Sequence, residues 1–253
     1  MKDTNLNRRS LARGAAWAAP VVLASSAVPA YASSCNTIDQ TFKTLHWLSA
    51  SGGTTATGEE GLSANQVSSQ NARLRRDNMT LVDMSASGLS EGQWLYLHQA
   101  QYSTRAGATQ TISITLPEEA HCVSFYVQDV DTQSDRNTGR RYRDQVTVPG
   151  FTASAVNPAY IQIEGSTARA SHDAALEGKA NEYEWGWEST NGAVLYQANG
   201  PVSSIELTFQ NVCGSLKSDV NNTQHIGVSA IRYSTTPECV QCQGGTTGSR
   251  SAG

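Results

Sequence analysis

The sequence predicts an all-β protein, a two-sheet antiparallel β-sandwich of jelly-roll type with at most one or two short helices. Apolar and polar residues alternate with period two through a succession of short runs, as half-buried strands require. The runs are separated by short polar connections rich in Gly, Ser, Thr and Asn, with no crossover helices between them. Segments with helical periodicity are few. Of the 253 residues, 38% are hydrophobic and 16% charged, which supplies a core and lies far from the composition of a disordered chain.

The first element is not part of that fold. "MKDTNLNRRSLARGAAWAAPVVLASSAVPAYA" has a basic start, an apolar stretch from Gly14 to Val28, and the small-residue end Ala30-Tyr31-Ala32. Residues 1–32 form a removable secretory signal, too short and too rich in Ala and Ser for a stable transmembrane helix. Within it, "NRRSLAR" resembles a twin-arginine export signal, with Asn7 in place of the usual Ser or Thr, and "RRSLARGAAWAAPVV" is similar to export signals of actinobacterial secreted proteins. Cleavage after Ala32 removes four basic residues and one acid, moving the net charge from −4 to −7. An acidic exported chain excludes generic binding to nucleic acid or to anionic membranes. The alternative processing is lipidation at Cys35, since "ASSC" loosely resembles a lipoprotein box, although Ala32 stands where that box usually has Leu.

Residues 33–242 are expected to form one sandwich domain. The runs "TFKTLHWL", "MTLVDMS", "QWLYLHQAQY", "TQTISITL", "HCVSFYVQDV", "DQVTVPGF", "AYIQIEG", "NEYEWGW", "AVLYQA", "SSIELTFQNV" and "HIGVSAIRY" are its predicted strands. In "TISITL", Ile112, Ile114 and Leu116 alternate with Ser113 and Thr115, the pattern of a strand with one face in the core. Two segments carry helical spacing: "ASHDAALEGKA" from Ala170 to Ala180, and more weakly "SANQVSSQNARLRR". Residues 243–253, rich in Gly, Ser and Thr, are expected to be a disordered tail.

Five cysteines in an exported chain suggest disulfides before metal ligation. The expected pairs are Cys122–Cys213, both at ends of strong strand runs, and Cys35–Cys239, leaving Cys242 over. Cys122 lies out of phase with the core face of Val123, so the first bridge needs a bulge. "CVQC" at Cys239 to Cys242 lacks the following helix of a redox pair and the second Cys/His pair of a zinc site, and is better explained as structural.

Three further motifs bear on chemistry. "GLSEG", Gly88 to Gly92, matches the nucleophile-elbow pattern, but strand runs on both sides make it a turn rather than a strand-to-helix elbow. "NEYEWGWES" places Tyr183, Trp185 and Trp187 on one strand face, a possible platform for sugar rings, with Glu182, Glu184 and Glu188 on the other. "VSFYVQDVDTQSDRNTGRRYRDQVTV" carries Asp129, Asp131, Asp135 and Asp144 between two apolar runs. It is not an EF-hand, because counted from Asp129 the Gly position is Ser134 and the final Glu position is Arg140. Phase carries Asp129 and Asp131 to the side of Val123, Phe125 and Val127, and Asp144 to the side of Val146 and Val148. Three inward carboxylates need either a calcium ion, with Asp135 closing the site, or pairing with Arg136, Arg140, Arg141 or Arg143.

The alternation "F-x-V-x-D-V-D … Y-x-D-x-V-x-V" resembles β-sandwich modules of bacterial surface and adhesin-like proteins. That resemblance implies an extracellular binding or structural module rather than a catalyst. Sequence therefore predicts an exported, non-catalytic, adhesin-like β-sandwich with an unknown extracellular ligand, calcium as its one conceivable cofactor and no transmembrane segment. The alternative is a carbohydrate-active or glycan-binding domain using the Tyr183/Trp185/Trp187 strand.

Overall fold

Phe42–Leu45 (β1) and Trp47–Ala50 (β2) open the fold, followed by Thr55–Gly58 (β3), Ser63–Gln70 (β4), Arg73–Leu74 (β5), Thr80–Asp83 (β6) and Gln93–Gln101 (β7). The central strand is Ala108–Gln128 (β8), after which come Thr132–Asp135 (β9), Arg140–Thr147 (β10), Thr152–Ala155 (β11), Ile161–Glu164 (β12) and Thr167–Ala170 (β13). Val194–Ala198 (β14), Val202–Asn211 (β15), Asn222–Val228 (β16) and Ile231–Ser234 (β17) complete it. The computed structural model describes residues 42–101, 107–135, 140–171, 189–213 and 222–236. Helix among them is confined to single 3-10 turns at Glu59–Gly61 and Ser85–Ser87, so the fold is all-β. None of their helices is long and apolar enough to cross a membrane.

All the pairings are antiparallel, and they run through β8. Along the N-terminal half of β8, a first ladder passes from β12 through β13, β10 and β15 to β8, then on to β4, β3 and β2. Along its C-terminal half, β8 pairs with β14 and then β11 on one edge, and with β17 and β16 on the other. β1 extends from β17, while β7, with β5 and β6, extends from β16.

The change of partners falls where the sequence would be expected to break the strand. Pro117 has no amide hydrogen to give a ladder, and the register against β15 slips between the pairs Thr115–Ser204 and Ala120–Val202. Cys122 follows at φ +48°, in the left-handed region. A bulge of this kind bends its strand and increases the local twist, which is how one chain segment serves two ladders. "TISITL" and "HCVSFYV" are therefore stretches of a single strand.

The core gathers the inward face of both ladders into one cluster, with Ile112, Ile114, Val146, Leu207 and Phe209 from the first and Phe125, Val127, Tyr196, Ile226 and Tyr233 from the second. The Phe125 ring stacks on Tyr196 at 5.6 Å and 17° and meets Phe151 edge-on at 5.6 Å. The buried Tyr196 hydroxyl donates to the Val146 carbonyl at 2.9 Å, so its polar end is satisfied across the ladders. Trp47 does the same at the other end, donating through Nε1 to the Ser229 carbonyl at 3.0 Å.

Several expectations need correction. "SANQVSSQNARLRR" forms β4 and β5, not a helix, because the neighbouring edge of β8 offers it a ladder that outweighs its weak helical spacing. "TFKTLHWL" breaks at His46 into β1 and β2, and "HIGVSAIRY" breaks at Ser229-Ala230 into β16 and β17. Of the Ala170–Ala180 segment, Ala170 ends β13, and residues beyond 171 lie outside the described residues.

The expected Cys122–Cys213 disulfide is not formed. Asn211 lies opposite Ala108 and Val202 opposite Ala120, so Cys213 sits beyond the end of the ladder remote from Cys122. Strand path on the order of 40 Å separates them, where a bridge requires Cα atoms within about 7 Å. Among the described residues the fold is held without disulfides. Cys35, Cys239 and Cys242, like the signal segment 1–32 and the tail 243–253, lie outside the described residues.

Candidate functional site

Inward Val123, Phe125 and Val127 force Ser124 and Tyr126 of β8 to the opposite face of the sheet. Register there aligns a row of polar side chains across five strands: Thr44 of β1, Arg232 of β17, Ser124 of β8, Gln197 of β14 and Thr152 of β11. Neighbouring strands are about 4.8 Å apart, so the row is roughly 19 Å long. The next row holds Tyr126, Leu195 and Ser154. Over part of these rows opens a cleft of about 340 Å3, lined by Thr44, Arg232 and Ser124 of the first row, by Tyr126 and Leu195 of the second, and by His46, Leu89, Ser90 and Glu91.

The walls are fixed by local geometry. His46 donates its amide to Glu59 Oε2 at 2.9 Å, and its carbonyl accepts from the Glu59 amide at 3.0 Å. Gly92 (φ +81°) closes the turn beside it, and a Cβ there would lie 2.8 Å from His46 Nδ1. Only glycine fits both the conformation and the space. The Arg232 guanidinium carbon lies 3.9 Å from the centroid of the Phe42 ring, a stacking distance.

Ser90 of "GLSEG" lies in this wall, in the turn between a 3-10 segment and β7 rather than at a strand-to-helix elbow. Its hydroxyl donates to the Glu91 carbonyl at 3.4 Å, and no imidazole is hydrogen-bonded to it among the described residues. A base within reach of the hydroxyl is what nucleophilic catalysis requires, so among the described residues Ser90 has the setting of a turn residue rather than of a nucleophile.

The acidic stretch forms a second cluster, at the end of β8. Asp129, Asp131 and Asp144 are all buried. Each has its own means of carrying its carboxyl. Asp129 Oδ2 lies 2.8 Å from His225 Nε2. Asp131 Oδ2 accepts from the Tyr142 hydroxyl at 3.3 Å. Asp144 Oδ2 accepts from the Asp131 amide at 3.4 Å, while the Asp144 amide donates to the Asp131 carbonyl at 2.9 Å. Burial, reinforced by the Asp129 charge, pushes the Asp144 carboxyl well above the usual carboxylate range. Of the four arginines expected to pair with these acids, Arg143 is engaged elsewhere: it donates from Nε to the Ala170 carbonyl at 2.6 Å and from Nη2 to Gln162 Oε1 at 3.1 Å.

His225 faces His98 across the β16–β7 pair, ring edge to ring at 5.6 Å, with Tyr96 at 5.2 Å from each. His98 Nδ1 lies 2.8 Å from Asp77 Oδ1. Burial lowers the His98 pKa against the opposing pull of that carboxylate. Sequence reasoning missed both histidines, since an isolated His in an alternating run carries no signal of the acid that will face it.

Among the described residues no group of three or more His, Cys, Asp or Glu is placed to hold a metal ion. The side chains of Asp135, Arg136 and Arg140 lie outside the described residues, as do Tyr183, Trp185 and Trp187. Asp129 Oδ1 and Asp144 Oδ1 are buried without a hydrogen-bond partner, but no third ligand is gathered with them among the described residues, and calcium at ~10 mM is expected to leave the melting temperature of the purified chain within about 1 °C. A rise of roughly 5 °C or more, lost in Asp131→Asn, would show instead that an oxygen cage including Asp135 binds the ion.

No family model and no curated protein matches the sequence. Among solved structures, a carbohydrate-binding module described for its specific recognition of mannan aligns with 78% of this chain and 99% of its own, at a TM-score of 0.33 and 8% identity. A likeness that distant settles neither the architecture nor the ligand.

Proposed function

We propose that the protein is an exported, non-catalytic binding module, a two-layer β-sandwich that takes a hydroxyl-rich ligand of the glycan class in the cleft over β1, β17, β8 and β14. The observation that carries this is the register-aligned row of short polar side chains bordered by Tyr126. Within the cleft, Thr44 and Ser124 on either side of Arg232 offer both donors and acceptors to a line of hydroxyls. An aromatic face beside them covers the apolar side of a sugar ring. The sandwich reading rests on the single core shared by both ladders and on the Tyr196–Val146 hydrogen bond between them. Export rests on the signal-like N-terminus alone.

The test is a glycan screen with the purified mature chain, followed by titration of each hit. Tyr126→Ala is expected to weaken binding by about tenfold or more, as truncation of a buried aromatic contact does. Retention of full affinity by Tyr126→Ala and by Ser124→Val would place the ligand elsewhere. An adhesin-like module with a protein ligand predicts no glycan hits together with capture of a surface protein, an outcome that would overturn the glycan reading.

A further inference from the structure

Resting on the glycan reading of the cleft, we infer that the ligand is an acidic saccharide carrying isolated carboxylates, such as uronic acid units among neutral sugars, and that Arg232 is the group that reads them. Arg232 is exposed, and its guanidinium packs on the Phe42 ring at 3.9 Å. A guanidinium whose carbon sits over a ring at that distance keeps N–H groups at its edge for another partner. No carboxylate among the described residues lies within ion-pair distance of it, in a chain with 22 acidic residues and 18 Lys and Arg.

Lys43, Arg143 and Arg169 are differently placed. Lys43, on the same strand as Phe42, is bound by Glu118 at 2.7 Å and Glu60 at 3.5 Å. Arg143 and Arg169 spend their N–H groups on a carbonyl and on glutamine side chains. Arg232 alone of these stands in the cleft, between Thr44 and Ser124 in the polar row, packed on Phe42 and with no hydrogen bond from its guanidinium to another described residue. A planar fork in that state matches a carboxylate bidentately, the pairing in which a guanidinium forms its stronger hydrogen bonds.

The rest of the cleft limits how much negative charge it accepts. Glu91 stands in the wall, and the protein as a whole is acidic. A densely charged polymer, such as a sulfated chain, would meet repulsion along most of its length. One carboxylate at the Arg232 position, with neutral hydroxyls along the row, fits both constraints.

The experiment compares matched oligosaccharides, each in its acidic form and after reduction of the carboxyl to the alcohol. Titrations use wild type and Arg232→Lys, at roughly 50 and 300 mM salt. The acidic form is expected to bind wild type about tenfold more tightly than the reduced form, with a gap that narrows at high salt. Arg232→Lys, which keeps the charge but loses the fork, is expected to lower the ratio to about two- to threefold. Equal binding of acidic and reduced forms, or an unchanged ratio in Arg232→Lys, overturns this inference while leaving the glycan reading intact. If neither form of any oligosaccharide binds wild type, both fail. A sulfated polymer that binds more tightly than every carboxylated one also refutes the inference.

Discussion

Phe125→Ala is expected to lower stability by about 3–5 kcal/mol, the usual cost of emptying a buried aromatic site. For a domain of this size that corresponds to a fall in melting temperature of roughly 10–15 °C. Phe125 is 2% exposed, stacked on Tyr196 and edge-on to Phe151, so its removal strips two ring contacts and leaves a cavity where both ladders meet. Tyr126, the next residue, faces the other way and is only partly buried. Tyr126→Ala should cost stability far less than Phe125→Ala while losing ligand affinity. The contrast tests register as well as burial, because a one-residue slip of β8 would exchange the two faces. Thermal melts of both variants decide it, and equal destabilisation would mean that the strand is placed wrongly.

The contrast also shows what a sequence can disclose. Strands that alternate apolar with polar residues, such as Ile205, Leu207 and Phe209 against Ser204, Glu206 and Thr208 in β15, were legible because alternation is itself the record of burial. β3, β11 and β13 read "TATG", "TASA" and "TARA", where Ala and Thr bury or expose with little difference in hydropathy. These strands are set by the ladders beside them, a tertiary influence with no local mark. The join between "TISITL" and "HCVSFYV" was hidden for the opposite reason, since Pro117 signals a break and the fold answers it with a bulge.

The sites divide in the same way. Parity alone carried Asp129, Asp131 and Asp144 toward one interior, and all three are buried. It could not name their partners. Arg143, adjacent to Asp144, has to point away from it in a strand, whereas His225, more than eighty residues along from Asp144, arrives beside Asp129 through the pairing of β16 with β8. The cleft was not legible at all, because its polar row takes one residue from each of three strands, and Thr44, Arg232 and Ser124 are each alone an ordinary outward-facing residue.

Stability should fall as pH rises above about 4 because of Asp144, and Asp144→Asn should remove that fall. Asp144 is fully buried, and burial, with the Asp129 charge, raises its pKa in the folded protein above the value of about 3.9 it has when unfolded. Below both values the carboxyl is protonated in either state and contributes no pH dependence. Between them the unfolded chain releases its proton while the folded chain retains one, so each pH unit favours unfolding by up to about 1.4 kcal/mol. Above the folded value the difference is constant. In melting temperature the slope within that window is roughly 3–5 °C per unit. Other titrating groups add their own pH dependence to the wild-type profile. The informative quantity is therefore the difference between wild type and Asp144→Asn, whose amide cannot ionise and keeps an oxygen for the Asp131 amide. That difference should be small near pH 4 and should grow in favour of the variant toward pH 8. Parallel profiles for the two proteins would show that the folded protein holds Asp144 ionised, and the carboxyl would then need a cationic partner that neither Arg143 nor His225 supplies.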